Sequence, residues 1–234
     1  MKPTILGIET ATDVCSAAVI LGDRVWTRSL EGGRRHDAEL LGMIDEVLRQ
    51  SRQPRSGLAG VAVSSGPGSY TGLRIGVSVA KAIAEALSIP LISVPSLGAA
   101  ALAGAEASPE DRIQPALLSA FPSRRGEVFA AAYRVGATDA EQVGDTLAGL
   151  PDFVLGALAE ASIVPERVVG PAAARFDGLL PVTASACSAE AVARIGQVRL
   201  EAGDSVDAEL FEPYYLKEFV AGVPTQSRFA RLPF

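Results

Sequence analysis

The sequence predicts an α/β fold, and three observations support that prediction. Short apolar runs separated by polar turns are typical of strands, and Gly22-Asp23 between two of them is a dipeptide that closes a two-residue hairpin. Apolar residues at helical spacing over residues 38–51 predict an amphipathic helix with one buried face. The apolar runs that predict three antiparallel strands are residues 4–9, 14–21 and 24–30.

The order of the further elements predicts two lobes. The first lobe continues with strand, helix, strand and helix, and the polar stretch 106–112 predicts its end. The second lobe is predicted to hold a hairpin around residues 123–126, a helix near 151–161, a strand at 167–170 and a helix near 186–202. The predicted domains are residues 1–108, residues 109–203, and a C-terminal segment, 204–234, that returns to the first lobe and ends in a mobile tail.

The net charge and the cysteines limit the class of protein. A formal net charge of −6 disfavours a stand-alone nucleic-acid binder, because phosphate binding needs clustered Lys and Arg. Cys15 and Cys187 fit no metal-ligand spacing, so we expect buried thiols in a reducing compartment. Glu9 and Asp13 interrupt the apolar stretch that a leader needs, and no apolar run is long enough to span a membrane. We therefore expect a cytoplasmic protein.

The stretch SSGPGSYTGLR, residues 64–74, follows an apolar strand and opens into a helix, and we call it the glycine loop. Its glycines permit close approach to the backbone, its hydroxyl side chains can cap the helix, and the helix N-terminus favours an anion. Arg74 lies in the first turn, where the dipole disfavours a cation unless an anion or a carboxylate is its partner. Since the loop matches neither the Walker pattern nor the dinucleotide fingerprint, both a phosphate site and a tight, capped turn stay open. The candidate phosphate-site residues are Gly66, Gly68, Ser69, Thr71, Arg74, Glu9 and Thr10.

The helix that follows the glycine loop has small residues every four positions, which places them on one face. Such a face lets another element approach closely, either within the domain or as a helix from another chain. Small residues alone do not choose between these two interpretations. The residues of this face are Gly72, Gly76, Ala80 and Ala84.

The sequence offers no catalytic constellation and no metal site of its own. His36 is the only histidine, which excludes a two-histidine metal site. A Ser-His-Asp mechanism would depend on His36, but the sequence has no Gly-x-Ser-x-Gly elbow. Glu9 and Asp13 flank the first turn, where they would either hold Mg²⁺ beside a nucleotide or be ordinary turn carboxylates.

Several segments carry a family resemblance: ILGIETATDVCSAAVI, RRHDAELLGMIDEVL, VAVSSGPGSYTGLRIGVSVAKAIAEAL and IPLISVPSLGAAA, in that order. Together with RRGEVFAAAYR at 124–134 and EPYYLK at 212–217, they resemble the TsaB family, the non-catalytic partner in bacterial threonylcarbamoyladenosine synthesis on tRNA. The resemblance spans nearly the whole chain, and GPGSYTGLRIG is its most specific part. It implies an actin-like ATPase fold of the sugar-kinase and Hsp70 type, with two lobes, the second degenerate.

The resemblance also implies partners. It implies a heterodimer with TsaD, a larger paralogue that carries a histidine pair for metal and transfers threonylcarbamoyl from its adenylate to adenosine beside the anticodon. TsaE, a small ATPase, would join the complex, tRNA would be met only through the complex, and the chain alone would form a homodimer. No cofactor of the chain's own is implied, and ATP or ADP with Mg²⁺ is a candidate at the interface with TsaD.

The implied interface is the small-residue helix face, with the amphipathic helix 38–51 packed alongside. An ATPase or phosphotransferase of the same fold stays open, although no second phosphate loop is found, and a glycoprotease-type peptidase has the least support. The stretch 121–124 lacks the acidic residue that the family usually has there, which weakens any nucleotide or metal role of the second lobe. The expected interface residues are Gly72, Gly76, Ala80, Ala84, Leu40 and Ile44.

Overall fold

The computed structural model describes residues 2–32, 36–106 and 116–216, which form two lobes. The elements of the first lobe are β1 (Ile5–Glu9), β2 (Val14–Leu21), β3 (Arg24–Glu31), α1 (His36–Ser51), β4 (Gly60–Ser64), α2 (Tyr70–Leu87), β5 (Leu91–Val94) and α3 (Ser96–Glu106). Its sheet has the order β3-β2-β1-β4-β5, in which β1, β2 and β3 are antiparallel neighbours and β4 and β5 run parallel to β1. The predicted element order of this lobe is confirmed.

The second lobe repeats this arrangement with smaller helices. Its elements are β6 (Leu117–Pro122), β7 (Val128–Val135), β8 (Ala140–Gly149), α4 (Pro151–Glu160), β9 (Arg167–Gly170), β10 (Val182–Ala184) and α5 (Ala189–Glu201). The sheet order β8-β7-β6-β9-β10 corresponds strand by strand to that of the first lobe. Where the first lobe follows β4 with an 18-residue helix, the second follows β9 with a 3₁₀ turn of 4 residues, Ala173–Phe176.

Local sequence chemistry explains the first hairpin and the central strand. Leu21 pairs with Arg24 across the predicted two-residue turn, and Gly22 has a φ of 60°, a conformation that glycine adopts without a Cβ penalty. All five residues of β1 are buried, because helices cover both faces of its sheet. Leu6 and Ile8 face the core beneath α1 and α2, and Ile5 faces α5.

Helices α3 and α5 are exchanged between the lobes. α3 follows a strand of the first lobe but packs on β6, β7 and β9, whereas α5 comes from the second half of the chain and packs on β1, β2 and β4. Glycines make these contacts close: a Cβ on Gly196 would lie 2.3 Å from the Cβ of Ala62, and a Cβ on Gly104 would lie 2.6 Å from the Cβ of Val169. The predicted division between residues 108 and 109 therefore separates the elements by their order along the chain. It does not separate them by packing, because α3 packs on the second sheet and α5 packs on the first.

The second lobe contains two strands that the sequence did not predict. β8 lies at one edge of the sheet beside β7, and β10 lies at the other edge beside β9. Most of their side chains are exposed or half-buried, so neither strand shows the apolar alternation that marks a buried strand. The sequence predicted only the two strands β6 and β7 of what is a three-stranded antiparallel unit. The third strand, β8, forms through backbone pairing with β7, and its side chains carry no strand pattern.

The C-terminal strap, which we define as residues 206–216, lies on the first lobe. The Val206 N–H donates to the Leu91 carbonyl at 2.9 Å in an isolated antiparallel bridge at the edge of β5. The Lys81 ammonium on α2 donates to the carbonyls of Glu209 and Phe211 at 3.0 and 3.1 Å. The predicted mobile tail falls within residues 217–234, outside the described residues. No helix in the described ranges combines the length and the hydropathy needed to cross a membrane.

Gly196→Ala tests the close packing of α5 on the first sheet. We expect it to lower the free energy of unfolding by about 1–3 kcal/mol, because the new methyl group overlaps Ala62 and both backbones must shift. The matched control is Gly156→Ala in α4, where a Cβ meets nothing within 4 Å and alanine should stabilise the helix by about 0.5–1 kcal/mol. Urea denaturation of both variants measures the difference, and equal effects would contradict the packing described here.

Candidate functional site

A cleft of about 520 Å³ lies between the two lobes. Four segments form most of its walls, namely the turn between β1 and β2, the glycine loop, the end of β6 and the turn after β9, and residues 184–186 at the end of β10 complete them. Clefts between lobes are common sites for small ligands, so this cleft is the first candidate site. Lining residues from the four segments include Asp13, Ser69, Phe121 and Pro171.

The turn after β9 is the second loop that the sequence analysis did not find. β9 occupies the same place in its sheet as β4 does in the first, and both strands lead into a Gly-Pro pair, Gly66-Pro67 and Gly170-Pro171. The Gly-Pro pair after a buried apolar strand was the signal that could have revealed it. Only a short 3₁₀ turn follows Gly170-Pro171, so this loop has no α-helix N-terminus with which to attract a phosphate.

The backbone of the glycine loop is bonded within the chain. The Gly66 N–H donates to Ser96 Oγ at 2.9 Å, and the Ser69 N–H donates to the Ala11 carbonyl at 2.7 Å. Ser69 also caps α2, because its Oγ accepts from the Gly72 N–H at 3.2 Å. These three N–H groups already have partners within the chain, so they would have to break them before donating to a phosphate.

The glycines of the loop and of α2 are required by internal packing. A Cβ on Gly68 would lie 2.5 Å from the Ala11 carbonyl, and a Cβ on Gly72 would lie 2.1 Å from the Thr10 carbonyl. A Cβ on Gly76 would lie 2.2 Å from Thr10 Oγ1. The turn after β1 therefore occupies the space directly against the loop and the first two turns of α2, and the structure favours the tight, capped turn over an open phosphate cradle.

The described walls of the cleft are mainly apolar. Among the described residues that line the cleft none is Lys or Arg, and Asp13 is the one carboxylate. A nucleoside polyphosphate needs cations or free N–H groups to balance its charge. The cleft is suited to an apolar or neutral group and not to a triphosphate.

Arg74 points away from the cleft and holds the C-terminal strap. Its guanidinium lies 4.2 Å above the ring of Tyr70, and its Nε donates to the Tyr215 hydroxyl at 3.2 Å. The hydrogen bond to Tyr215 is the main reason that the pKa of Arg74 is raised. A cation at the start of α2 is explained by this aromatic pair, with the Glu212 carboxylate of the strap as a further favourable charge, so no phosphate is needed as its partner.

Glu9 is fully buried beneath the cleft. Its Oε1 accepts from the Ala11 N–H at 2.5 Å, and its Oε2 accepts from the Cys187 thiol at 3.1 Å. Burial raises the pKa of Glu9 to about 7, and burial likewise raises the pKa of Cys187 well above its ordinary value, so the thiol remains a donor. Since Asp13 lines the cleft while Glu9 faces inward, the two carboxylates do not form the Mg²⁺ pair that the sequence left open.

The structure brings only part of the predicted phosphate site to the cleft. Gly68 and Ser69 line it, whereas the other predicted residues lie elsewhere. Gly66 packs on the strap, where a Cβ would lie 2.4 Å from the Tyr214 carbonyl, and Thr71 is exposed on the first turn of α2. The remaining three point away or are buried: Arg74, Glu9 and Thr10. His36 begins α1, and its side chain is outside the described part of the structure.

The small-residue face of α2 is not an external surface, and the predicted interface is wrong in this respect. This face packs inward on β1 and β4, because glycine and alanine allow the helix to lie close to Thr10 and the sheet. The two α1 residues of the predicted interface, Leu40 and Ile44, are also buried against the core. The predicted interface residues that are buried in this way are Gly72, Gly76, Ala80, Ala84 and Leu40. Ile44 is also mostly buried, but its side chain lines the groove between α1 and α2.

The outer faces of α1 and α2 form an apolar groove of about 460 Å³, which we call the outer groove. Leu41, which is 60% exposed, lines it on α1, and Ala82 and Ala86 line it on α2. An ion pair on the same surface joins Arg55 to Asp45 at 3.0 Å. The sequence signal was the pair Leu40-Leu41, since adjacent helical residues lie about 100° apart and cannot both face the core.

Comparison with protein families gives a match over more than half of the chain. The model described as TsaD, tRNA N6-adenosine threonylcarbamoyltransferase, matches residues 29–162. A Buchnera aphidicola protein named tRNA threonylcarbamoyladenosine biosynthesis protein TsaB is 36% identical over 97 residues, 42% of this chain and 44% of that protein. The Escherichia coli protein of the same name is 32% identical over 130 residues, 56% of this chain and 54% of that protein. The matches thus span about half the length of these relatives.

A solved structure supports the fold. A Pseudomonas aeruginosa protein described as similar to peptidase YeaZ superposes with a TM-score of 0.79 at 24% identity, covering 92% of this chain and 100% of that one. Likeness at this identity concerns the fold alone. With the repeated sheet order and the smaller second lobe, it confirms the two-lobed actin-like fold that the sequence resemblance implied.

Glu9→Gln tests the buried carboxyl group. Burial raises its folded-state pKa to about 7 from the ordinary value of 4.5, so between these two pH values the folded chain keeps a proton that the unfolded chain releases. The free energy of unfolding of the wild type should therefore fall as pH rises through this window, by on the order of 3 kcal/mol, and then level off. The glutamine amide does not titrate. The difference in free energy of unfolding between wild type and Glu9→Gln should therefore change between the two pKa values of Glu9, 4.5 and about 7, and be constant at lower and higher pH.

Denaturation curves between about pH 4 and about pH 9 measure that difference. Glu85→Gln removes a carboxylate from an exposed position on α2 and is the control. A constant difference between wild type and Glu9→Gln at all pH values would contradict the raised pKa.

Proposed function

The chain belongs to the tRNA N6-adenosine threonylcarbamoyltransferase family, among its TsaB members, and from this premise we propose that it is a non-catalytic partner subunit in threonylcarbamoyladenosine synthesis on tRNA. It would bind a TsaD-type paralogue that carries out the transfer. This proposal keeps the partner predicted from the sequence and changes the surface that binds it.

The closed glycine loop is the observation on which the proposal depends. Three of its N–H groups are bonded to Ser96, Ala11 and Ser69 within the chain, and the cleft beside it has no Lys or Arg among its described lining residues. Phosphoryl transfer works through positioned cations and amides, so a cleft without them is poorly suited to that chemistry. The peptidase interpretation gains nothing from the cleft either, because its described lining includes neither histidine nor cysteine. We therefore assign the chemistry to the partner.

The outer groove supports a protein partner. Leu41 is exposed on an apolar surface that also carries the Asp45–Arg55 ion pair, and apolar residues bordered by charged ones are the arrangement of a protein interface. A paralogue of the same fold presents its own α1 and α2 pair, and two such pairs can meet about a local two-fold axis. A second copy of this chain would use the same surface, so homodimer and heterodimer would exclude each other.

The remaining components of the proposed complex are tRNA, TsaE and a nucleotide. The net charge of −6 is consistent with tRNA held mainly by the partners, and TsaE would join the assembled pair. We propose no cofactor bound by this chain alone, and ATP or ADP with Mg²⁺ would lie at the interface with TsaD.

Reconstitution tests the proposal. TsaD, TsaE and threonylcarbamoyl-adenylate are incubated with unmodified tRNA, with and without this chain, and the modified nucleoside is quantified by mass spectrometry. We expect product only when the chain is present. Equal product without the chain would contradict the proposal, and ATP hydrolysis by the isolated chain would favour the ATPase alternative.

Leu41→Glu tests the outer groove. A carboxylate placed within an apolar interface should weaken the heterodimer with TsaD by about tenfold or more, since it must be desolvated without a partner. Leu41 is exposed in the monomer, so the fold should be unchanged. The control is Leu179→Glu, which changes an exposed leucine of the second lobe. Titration calorimetry measures both affinities, and equal affinity for the two variants would place the interface elsewhere.

A further inference from the structure

The C-terminal strap follows α2 from its last turns to its first. At one end Val206 pairs with Leu91, and in the middle the Lys81 ammonium holds the carbonyls of Glu209 and Phe211. At the other end Tyr215 packs on Tyr70, with ring centroids 4.9 Å apart, and accepts the hydrogen bond from Arg74. α2 is therefore held between α1 on one side and the strap on the other.

The glycine loop is the seat for the end of the strap. The Tyr214 N–H donates to the Ser65 carbonyl at 2.7 Å, and the Tyr214 carbonyl lies against the Cα of Gly66. Any side chain at residue 66 would push the strap away, and its φ of 108° also favours glycine. Gly66 thus serves contact with a peptide segment of the same chain.

The strap is attached weakly compared with the strands of the sheet. It has a single backbone bridge to β5 and one further backbone hydrogen bond, from Tyr214 to Ser65, and its middle anchors are a lysine and two carbonyl groups. Its apolar side chains Val206, Ala208 and Phe211 pack on the first-lobe core but are only half-buried.

Leu210 and Tyr214 of the strap are 77% and 52% exposed. An exposed turn at residues 202–205 precedes it, in which Gly203 has a φ of 76°. A segment whose apolar contacts are half-buried and whose hinge is exposed opens at a lower free energy than the core.

We propose that the C-terminal strap is a latch: it opens and closes on the glycine loop and α2 without global unfolding, and only its closed form presents the outer groove in the shape that binds the partner. The coupling runs through α2, which carries the strap anchors Arg74 and Lys81 on one flank and the groove residues Ala82 and Ala86 on the other. The inference about partner binding rests on the function proposed above.

Three single variants of the full chain each remove one anchor that holds the strap closed. Arg74→Ala and Tyr215→Ala remove the two sides of one contact, and Lys81→Met removes the middle anchor. The amides of Tyr214 and Val206 report opening by hydrogen exchange, since both are bonded only when the strap is closed, and the amide of Leu6 in the central strand reports global unfolding. Tyr215→Phe keeps the ring and loses the hydroxyl, and Arg134→Ala is the control at an exposed position of the second lobe.

We expect each of the three variants to speed exchange at Tyr214 and Val206 while exchange at Leu6 is unchanged. If the closed fraction falls to about a fifth, the apparent Kd for TsaD should rise about fivefold, and the rise in Kd should follow the closed fraction across the series. Arg74→Ala combined with Tyr215→Ala should do little more than Tyr215→Ala alone, because removing Tyr215 already removes the hydrogen bond to Arg74 along with the contact to Tyr70. Tyr215→Phe should fall between wild type and Tyr215→Ala.

The outcomes separate the latch from the proposed function. Faster exchange at Tyr214 with an unchanged Kd would overturn the coupling and leave the proposed function standing. Exchange of Tyr214 at the rate of Leu6 in every variant would overturn the latch itself. Loss of affinity without faster exchange would mean that these side chains contact the partner directly, which also overturns the latch. If the wild type does not bind TsaD, the proposed function fails and the coupling fails with it.

Discussion

The close contact between Thr10 and α2 is the constraint on which the rest of the structure depends. Gly72 and Gly76 bring the helix against the carbonyl and the side chain of Thr10, closer than any residue with a Cβ would permit. This contact fixes the height of α2 above β1 and brings the glycine loop down onto the turn after β1. It also directs the opposite flank of α2, with Ala82 and Ala86, outward into the outer groove.

A consequence is that the family's most distinctive segment has a structural role in this chain. Each glycine of the segment has a close neighbour within the chain: Gly66 meets the strap, Gly68 meets Ala11, and Gly72 and Gly76 both meet Thr10. A loop that binds a phosphate needs N–H groups pointing into open space, whereas the N–H groups of Gly66, Ser69 and Gly72 are used within the chain. The same glycine pattern is compatible with both uses, so only the neighbours of the loop distinguish them.

Sequence patterns predicted what depends on local chemistry and failed where the partner of a residue lies far along the chain. The Gly22-Asp23 turn and the amphipathic α1 are encoded by adjacent residues, and both were predicted. The four-residue spacing in α2 correctly placed its small residues on one face, but spacing does not say whether a sheet or another chain covers that face. β8 has a polar sequence and follows β7, and Arg74 finds Tyr215 across 141 positions of sequence. Neither could be foreseen from a local window.

The exchange of α3 and α5 bears on the order in which the chain can fold during synthesis. The first sheet has α1 and α2 on one face as soon as they are made, but its other face is covered by α5, whose contact glycine is residue 196. Ribosomes add about 5–20 residues each second, so that apolar face stays uncovered for several seconds after the last strand of the lobe has emerged. The first lobe therefore cannot finish folding as an independent N-terminal unit, and during this interval its uncovered face is the part of the nascent chain most in need of protection from aggregation.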